Sequence, residues 1–164
     1  MEKKEIISSI SAWGKGEIYL GVVGAVRTGK STFIKKVIET LVVPNIEDED
    51  LKKRCIDEIP QSAPGKTIMT TEPKFVPSTG AKITIDDFST NIKLIDCVGY
   101  VIKTSNGYED ELGNPRLVKT PWYDEEIPFV EAAEIGTEKV IKDHSTIGIV
   151  VTTDGSIGEF TRGE

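Results

Sequence analysis

Residues 24–31 run Gly24-Ala25-Val26-Arg27-Thr28-Gly29-Lys30-Ser31, which satisfies G-x-x-x-x-G-K-[ST], the spacing of a loop that holds a phosphate chain. The glycines let the backbone wrap. N–H groups along Gly24, Ala25, Val26, Arg27, Thr28, Gly29, Lys30, Ser31 and Thr32, with the positive end of a following helix, then face phosphate oxygens. Lys30 brings a point charge to the β- and γ-phosphates, and the Ser31 hydroxyl is a ligand for Mg²⁺. Arg27 is expected to stay solvated, the alternative being contact with a phosphate or a neighbouring subunit.

Two further stretches belong to the same chemistry. Asp96-Cys97-Val98-Gly99 closes the apolar run at residues 92–95. An acidic residue at the carboxyl end of a strand beside a phosphate loop holds Mg²⁺, usually through water, and the Gly99 N–H meets and senses the γ-phosphate. Thr67-Ile68-Met69-Thr70-Thr71-Glu72-Pro73 stands between the loop's helix and the next strands, where a threonine hydroxyl can reach Mg²⁺ and the γ-phosphate. Thr70 or Thr71 is favoured there, with Thr67 a third candidate. The expected hydrolytic set is therefore Lys30, Thr70, Thr71 and Asp96, with Mg²⁺ on Ser31, Asp96 and the threonines. Directly after DxxG, where many GTPases position water with Gln or His, stands Tyr100. Tyrosine is a poor replacement, so hydrolysis is expected to be slow or to draw on another group. The base-reading motif [NT]KxD is absent from the sequence, and these residues leave adenine against guanine undecided.

The elements that must position this chemistry follow from periodicity. Residues 18–23 are a continuous apolar run suited to a strand covered on both faces, and residues 31–43 follow the helical period through Phe33, Ile34, Val37, Ile38, Leu41 and Val42. Strand, glycine-bounded loop and helix are the context a phosphate loop requires. Residues 82–85 and 91–96 predict an antiparallel hairpin around the turn at 86–90. Residues 45–66 predict a polar surface excursion with a weak helical pattern at 51–56, and residues 101–128 a long, partly ordered loop. A helix over 129–142 and a buried strand over 146–152 complete the set. That order predicts a three-layer α/β fold, a mostly parallel sheet with one antiparallel edge strand. Residues 1–16 are expected to form an amphipathic helix packed on a phosphate-loop domain at 17–164, and the chain is expected to stop inside that domain, with later strands absent.

Composition sets limits. The 164 residues carry a formal charge of −7, which argues against a nucleic-acid partner. Cys55 and Cys97 lack metal-ligand spacing and are expected to be reduced thiols of a cytosolic protein. No apolar run reaches the ~18 residues of a membrane span. His144, the single histidine, sits where a helix C-terminus would favour its charge, and no zinc site is expected. The acidic runs at 47–50 and 124–126 are expected to be solvated faces, and Asp154-Gly155 a turn.

The stretches GVVGAVRTGKSTFIKK, QSAPGKTIMTTEPKFVP, LIDCVGY, TPWYDEEIPF, EAAEIGT and HSTIGIVVTTDGSIGE together resemble the stage IV sporulation protein A family, over nearly all of residues 18–160. The resemblance implies a P-loop fold of the translation-factor-related GTPase class that has turned to ATP. It implies hydrolysis that drives self-assembly into a static polymer, the basement layer of the spore coat, in the mother-cell cytoplasm at the surface of the outer forespore membrane. The family's phosphate-loop lysine matches Lys30, its Mg²⁺-associated aspartate Asp96, and its sensor threonines Thr70 and Thr71. Implied partners are further copies of the chain, other coat proteins, and a small amphipathic membrane-anchoring peptide that binds a C-terminal region absent from this sequence.

Overall fold

A computed structural model of the chain describes Ser9, Ala12 and residues 16–60, 72–102, 108–110 and 112–153. Strand β1 is Glu17–Val23 and leads through the glycine loop into helix α1 at Lys30–Val37. The helix goes on as a π turn at Ile38–Val42 and a 3₁₀ turn at Val43–Asn45, which contains Pro44. Proline fits the start of a turn but cannot continue an α-helix, so the pattern expected over 31–43 tightens and stops there. Ile34, Ile38 and Val42 repeat every fourth residue and are fully buried.

Helix α2, Glu49–Asp57, realises the weak helical pattern at 51–56 and makes a full element of part of the expected surface excursion. The side chain of Asp48 caps it, accepting the Asp50 and Leu51 N–H groups at 2.9 Å each. Cys55 is fully buried against the core, so the segment is partly a core element, while its polar faces stay exposed.

Strands β2, Lys74–Ile85, and β3, Phe88–Asp96, form the expected hairpin, but both are longer than predicted. Pro77, Ser78, Thr79 and Gly80 break the alternation in the sequence. The hairpin absorbs them as a register shift between Val76 and Ala81, a bulge whose Ser78 N–H and hydroxyl both donate to the Glu58 carboxylate.

A second correction concerns residues 101–128, expected to be a loop. Strands β4, Leu117–Thr120, and β5, Tyr123–Pro128, pair antiparallel there, with Pro121 and Trp122 as the turn. Helix α3, Phe129–Lys139, with a π turn at Val140–His144, lies against this ribbon. Arg116 sits over the Phe129 ring and Lys139 over the Trp122 ring. Strand β6 is Ile147–Val150.

The main sheet has the order β2-β3-β1-β6, with β3, β1 and β6 parallel and β2 antiparallel at the edge, as the sequence predicts. Val22, Ile92 and Leu94 face α1 and α2, whereas Val23, Ile95 and Cys97 face the α3 side with Val140. Among the described residues no helix is long and apolar enough to cross a membrane. Ser9 and Ala12 are helical and exposed and Gly16 is in a turn; the other residues of the helix expected over 1–16 lie outside the described residues, as does Asp154-Gly155.

Candidate functional site

The carboxyl ends of β1 and β3 lie side by side, Val22 opposite Asp96, and the loop from β1 to α1 rises beside them. Gly24 turns out of the strand at φ 142°, and a side chain there would meet the Val151 carbonyl at 2.1 Å, so only glycine fits beneath β6's exit. Gly29 caps α1 in the left-handed region at φ 92°, and Arg27 lies at φ 65° with its side chain exposed. The expectation that Arg27 is solvated agrees with that exposure.

Inside the turn the polar groups converge on one carbonyl. Ala25 O accepts the Thr28 hydroxyl at 2.8 Å and the Lys30 ammonium at 2.7 Å. Lys30 is only 5% exposed. Burial depresses its pKa from the ordinary lysine value, and the nearby Cys97 and Asp96 act in the opposite sense. A largely buried cation at the start of a helix is the electrostatic half of an anion site.

Ser31 and Asp96 form the other half. The Ser31 hydroxyl donates to Asp96 Oδ2 at 2.7 Å, while Asp96 Oδ1 is buried with no hydrogen-bond partner among the described residues. Burial raises the Asp96 pKa, opposed by the Ser31 hydrogen bond and then by the Lys30 charge. With the Ser31 proton committed to the carboxylate, the serine oxygen's lone pairs remain available as acceptors. One orphaned carboxylate oxygen and one hydroxyl oxygen fit Mg²⁺, a hard cation that takes one or two protein oxygens and completes its shell from phosphates and water.

Gly99 reaches the same place from β3. At φ 90° its backbone passes so close that a side chain would sit 2.1 Å from Gly24 O and 2.5 Å from Lys30 Nζ. The next residue is stitched to the loop, since Tyr100 N–H donates to Gly24 O at 3.1 Å and Val26 N–H donates to Tyr100 O at 2.7 Å. The Val26 amide, expected to face a phosphate, is thus bonded to the DxxG segment, and the Thr28 amide to Ala25 O at 3.4 Å. Lys30, Ser31, Asp96, Gly24 and Gly99 are brought together, whereas Thr67, Thr70 and Thr71 lie outside the described residues. His144 closes the π turn after α3 with its ring edge-on to Phe75 at 5.5 Å.

Two participants were not foreseen. The backbone of Tyr100 ties the two motifs together, and a main-chain role leaves no trace in residue type. Thr137, fully buried on α3, stands 3.8 Å from Cys97 Sγ, and a lone threonine on a small-residue helix face was the only signal.

The sequence model described as "Stage IV sporulation protein A, ATPase domain" matches residues 1–164. The chain belongs to the stage IV sporulation protein A family. Stage IV sporulation protein A of Bacillus anthracis is 61% identical over 99% of the chain. Its counterparts in Bacillus subtilis (strain 168) and Clostridioides difficile (strain 630) are 60% identical over 100% and 96% of it. The chain covers 33%, 33% and 32% of those three proteins, so it spans about a third of the length of these family members. No solved structure matches. The family's ATPase description and the buried lysine beside an orphaned carboxylate oxygen point to the same chemistry.

Proposed function

We propose that this chain is the Mg²⁺-dependent ATP-binding and ATP-hydrolysing P-loop domain of a morphogenetic protein, whose hydrolysis drives self-assembly of the spore-coat basement layer. The carrying observation is the placement of the buried Lys30 ammonium beside the Ser31–Asp96 pair, with Asp96 Oδ1 unpartnered among the described residues. The choice of ATP rests on the family description, and the choice of assembly over signalling on the resemblance.

In this reading Lys30 exchanges Ala25 O for phosphate oxygens, and its burial keeps its charge unscreened where negative charge develops. Ser31 and Asp96 would hold Mg²⁺, which when bound would supply positive charge to the phosphate chain. The Gly99 N–H lies on the γ-phosphate side, next to Lys30, and Thr70 or Thr71 couples the presence of that phosphate to loop conformation. Tyr100 has no carboxylate, amide or imidazole to orient water, so turnover is slow. Beyond the domain, the proposed partners are further copies, other coat proteins and a membrane-anchoring peptide, at the mother-cell surface of the outer forespore membrane. Tyr100 also favours a second reading, a nucleotide-binding scaffold with little turnover.

The test is hydrolysis by the full-length protein, ATP beside GTP, with polymer sedimentation measured in the same samples. Lys30→Ala is expected to lose on the order of a hundredfold in ATP turnover, and to lose the pellet. Wild-type turnover by Lys30→Ala would sink the mechanism. Guanine preference would shift the reading to a regulatory switch, and binding without turnover would shift it to the scaffold.

A further inference from the structure

The segment that carries Asp96 is held from behind by two side chains outside the phosphate site. Along an extended chain successive side chains point to opposite faces, so where Asp96 turns to Ser31, Cys97 turns to the α3 side of the sheet. There Cys97 is buried, its single thiol proton within reach of two acceptors, Val22 O at 3.4 Å and Thr137 Oγ1 at 3.8 Å. The Thr137 hydroxyl donates its own proton to Ala133 O at 2.8 Å, which leaves its oxygen as the acceptor facing the thiol. The helix comes this close because its remaining buried residues here are small: Ala132, Ala133 and Gly136.

The same helix also carries charges that act on Tyr100. The phenol's pKa is raised by burial and then by the Glu134 carboxylate, with Glu138 also contributing. Thr137 of α3 thus meets residue 97, and on the other side of Gly99 the backbone of residue 100 is bonded to Gly24 and Val26.

We infer that Thr137 and Cys97 are positioning residues for the hydrolysis, their contact fixing where Asp96 and Gly99 stand relative to Lys30. The inference rests on the ATPase reading. Neither side chain touches the phosphate groups, so each acts through the backbone of residues 96–99. That backbone has little freedom, because Gly99 already packs against Gly24 O and Lys30. A shift of about 1 Å at such a centre costs on the order of a hundredfold in rate, so even a fraction of that shift is measurable.

The experiment uses the full-length protein and reads ATP affinity and turnover separately, across a Mg²⁺ titration. Thr137→Val keeps the shape and removes the acceptor, whereas Thr137→Ser keeps the acceptor. Thr137→Val is expected to lower kcat roughly five-fold, with ATP affinity unchanged and more Mg²⁺ needed for half-maximal rate. Thr137→Ser should stay within about two-fold of wild type, and Cys97→Ala should reproduce the loss without adding to it in the double variant. A folded Thr137→Val with wild-type kcat, or an equal loss in Thr137→Ser, overturns the inference. If Thr137→Val does not fold, Cys97→Ala decides alone, with wild-type kcat again the overturning result. A wild-type protein that binds ATP with no turnover removes the ATPase reading itself, and this inference with it.

Discussion

The two faces of the main sheet are packed in different ways. On the α1 and α2 side the sheet offers Val22, Val76 and Leu94, and α1 with its π turn answers with Ile34, Ile38 and Val42, all fully buried and all branched. Under α3 the sheet offers Val23, Ile95 and Cys97, and the helix answers with Ala132, Ala133, Gly136 and Thr137. Large interlocking side chains remove much apolar area from water, each contributing about 1.5–3 kcal/mol. Small ones contribute less area but let backbones approach, and here they bring a threonine hydroxyl up to the thiol behind Asp96. The first face supplies most of the stability, and the second sets the position of the site.

Deleting bulk on the first face gives the largest effect on that contrast. Leu94 is fully buried between Leu20 and Val76 on the neighbouring strands. Leu94→Ala should cost about 2–5 kcal/mol in a urea titration, enough to unfold much of a marginally stable domain. Equal stability in Leu94→Ala and wild type would show that this face is not the main core. The complementary change is Gly99→Ala, where the new methyl would meet Gly24 O and Lys30 Nζ. The left-handed backbone adds about 1–2 kcal/mol of strain, but turnover should fall on the order of a hundredfold, because the loop must shift. Unchanged kcat in Gly99→Ala would mean that the close approach is not used in the reaction.

The first face was the more legible one. Ile34, Ile38 and Val42 announce an amphipathic helix by spacing, and the apolar runs of β1 and β3 announce buried parallel strands. The glycine-bounded turn between β1 and α1 was legible because Gly, Lys and Ser at fixed offsets have few other uses. What stayed hidden depended on tertiary contact. The β4–β5 ribbon is mostly exposed, with Leu117, Tyr123, Asp124, Glu125 and Glu126 on its surface, so no alternation separates it from a loop. The longer β2 was masked by Pro77 to Gly80, whose turn residues serve a bulge rather than a strand end. In α2, six charged residues among the nine conceal one inward side, the half-buried Leu51 and the buried Cys55, that only the folded core reveals.

That last helix offers the gentlest test, because it lies on the stability face and away from the phosphate loop. Its polar surface is dense, and its cap is a single side chain, Asp48, serving two amides. Asp48→Ala leaves both N–H groups to water and removes a negative charge from the helix's positive end, which together cost about 1 kcal/mol. The helix is fastened to the core through Cys55 and to the β2 bulge through Glu58, so it should fray at its start without detaching. A shift of that size in the urea midpoint, with kcat unchanged, is the expected result. A fall in kcat at equal folded fraction would show that strain on the α1–α2 side reaches Lys30, and the division of labour between the two faces would have to be given up.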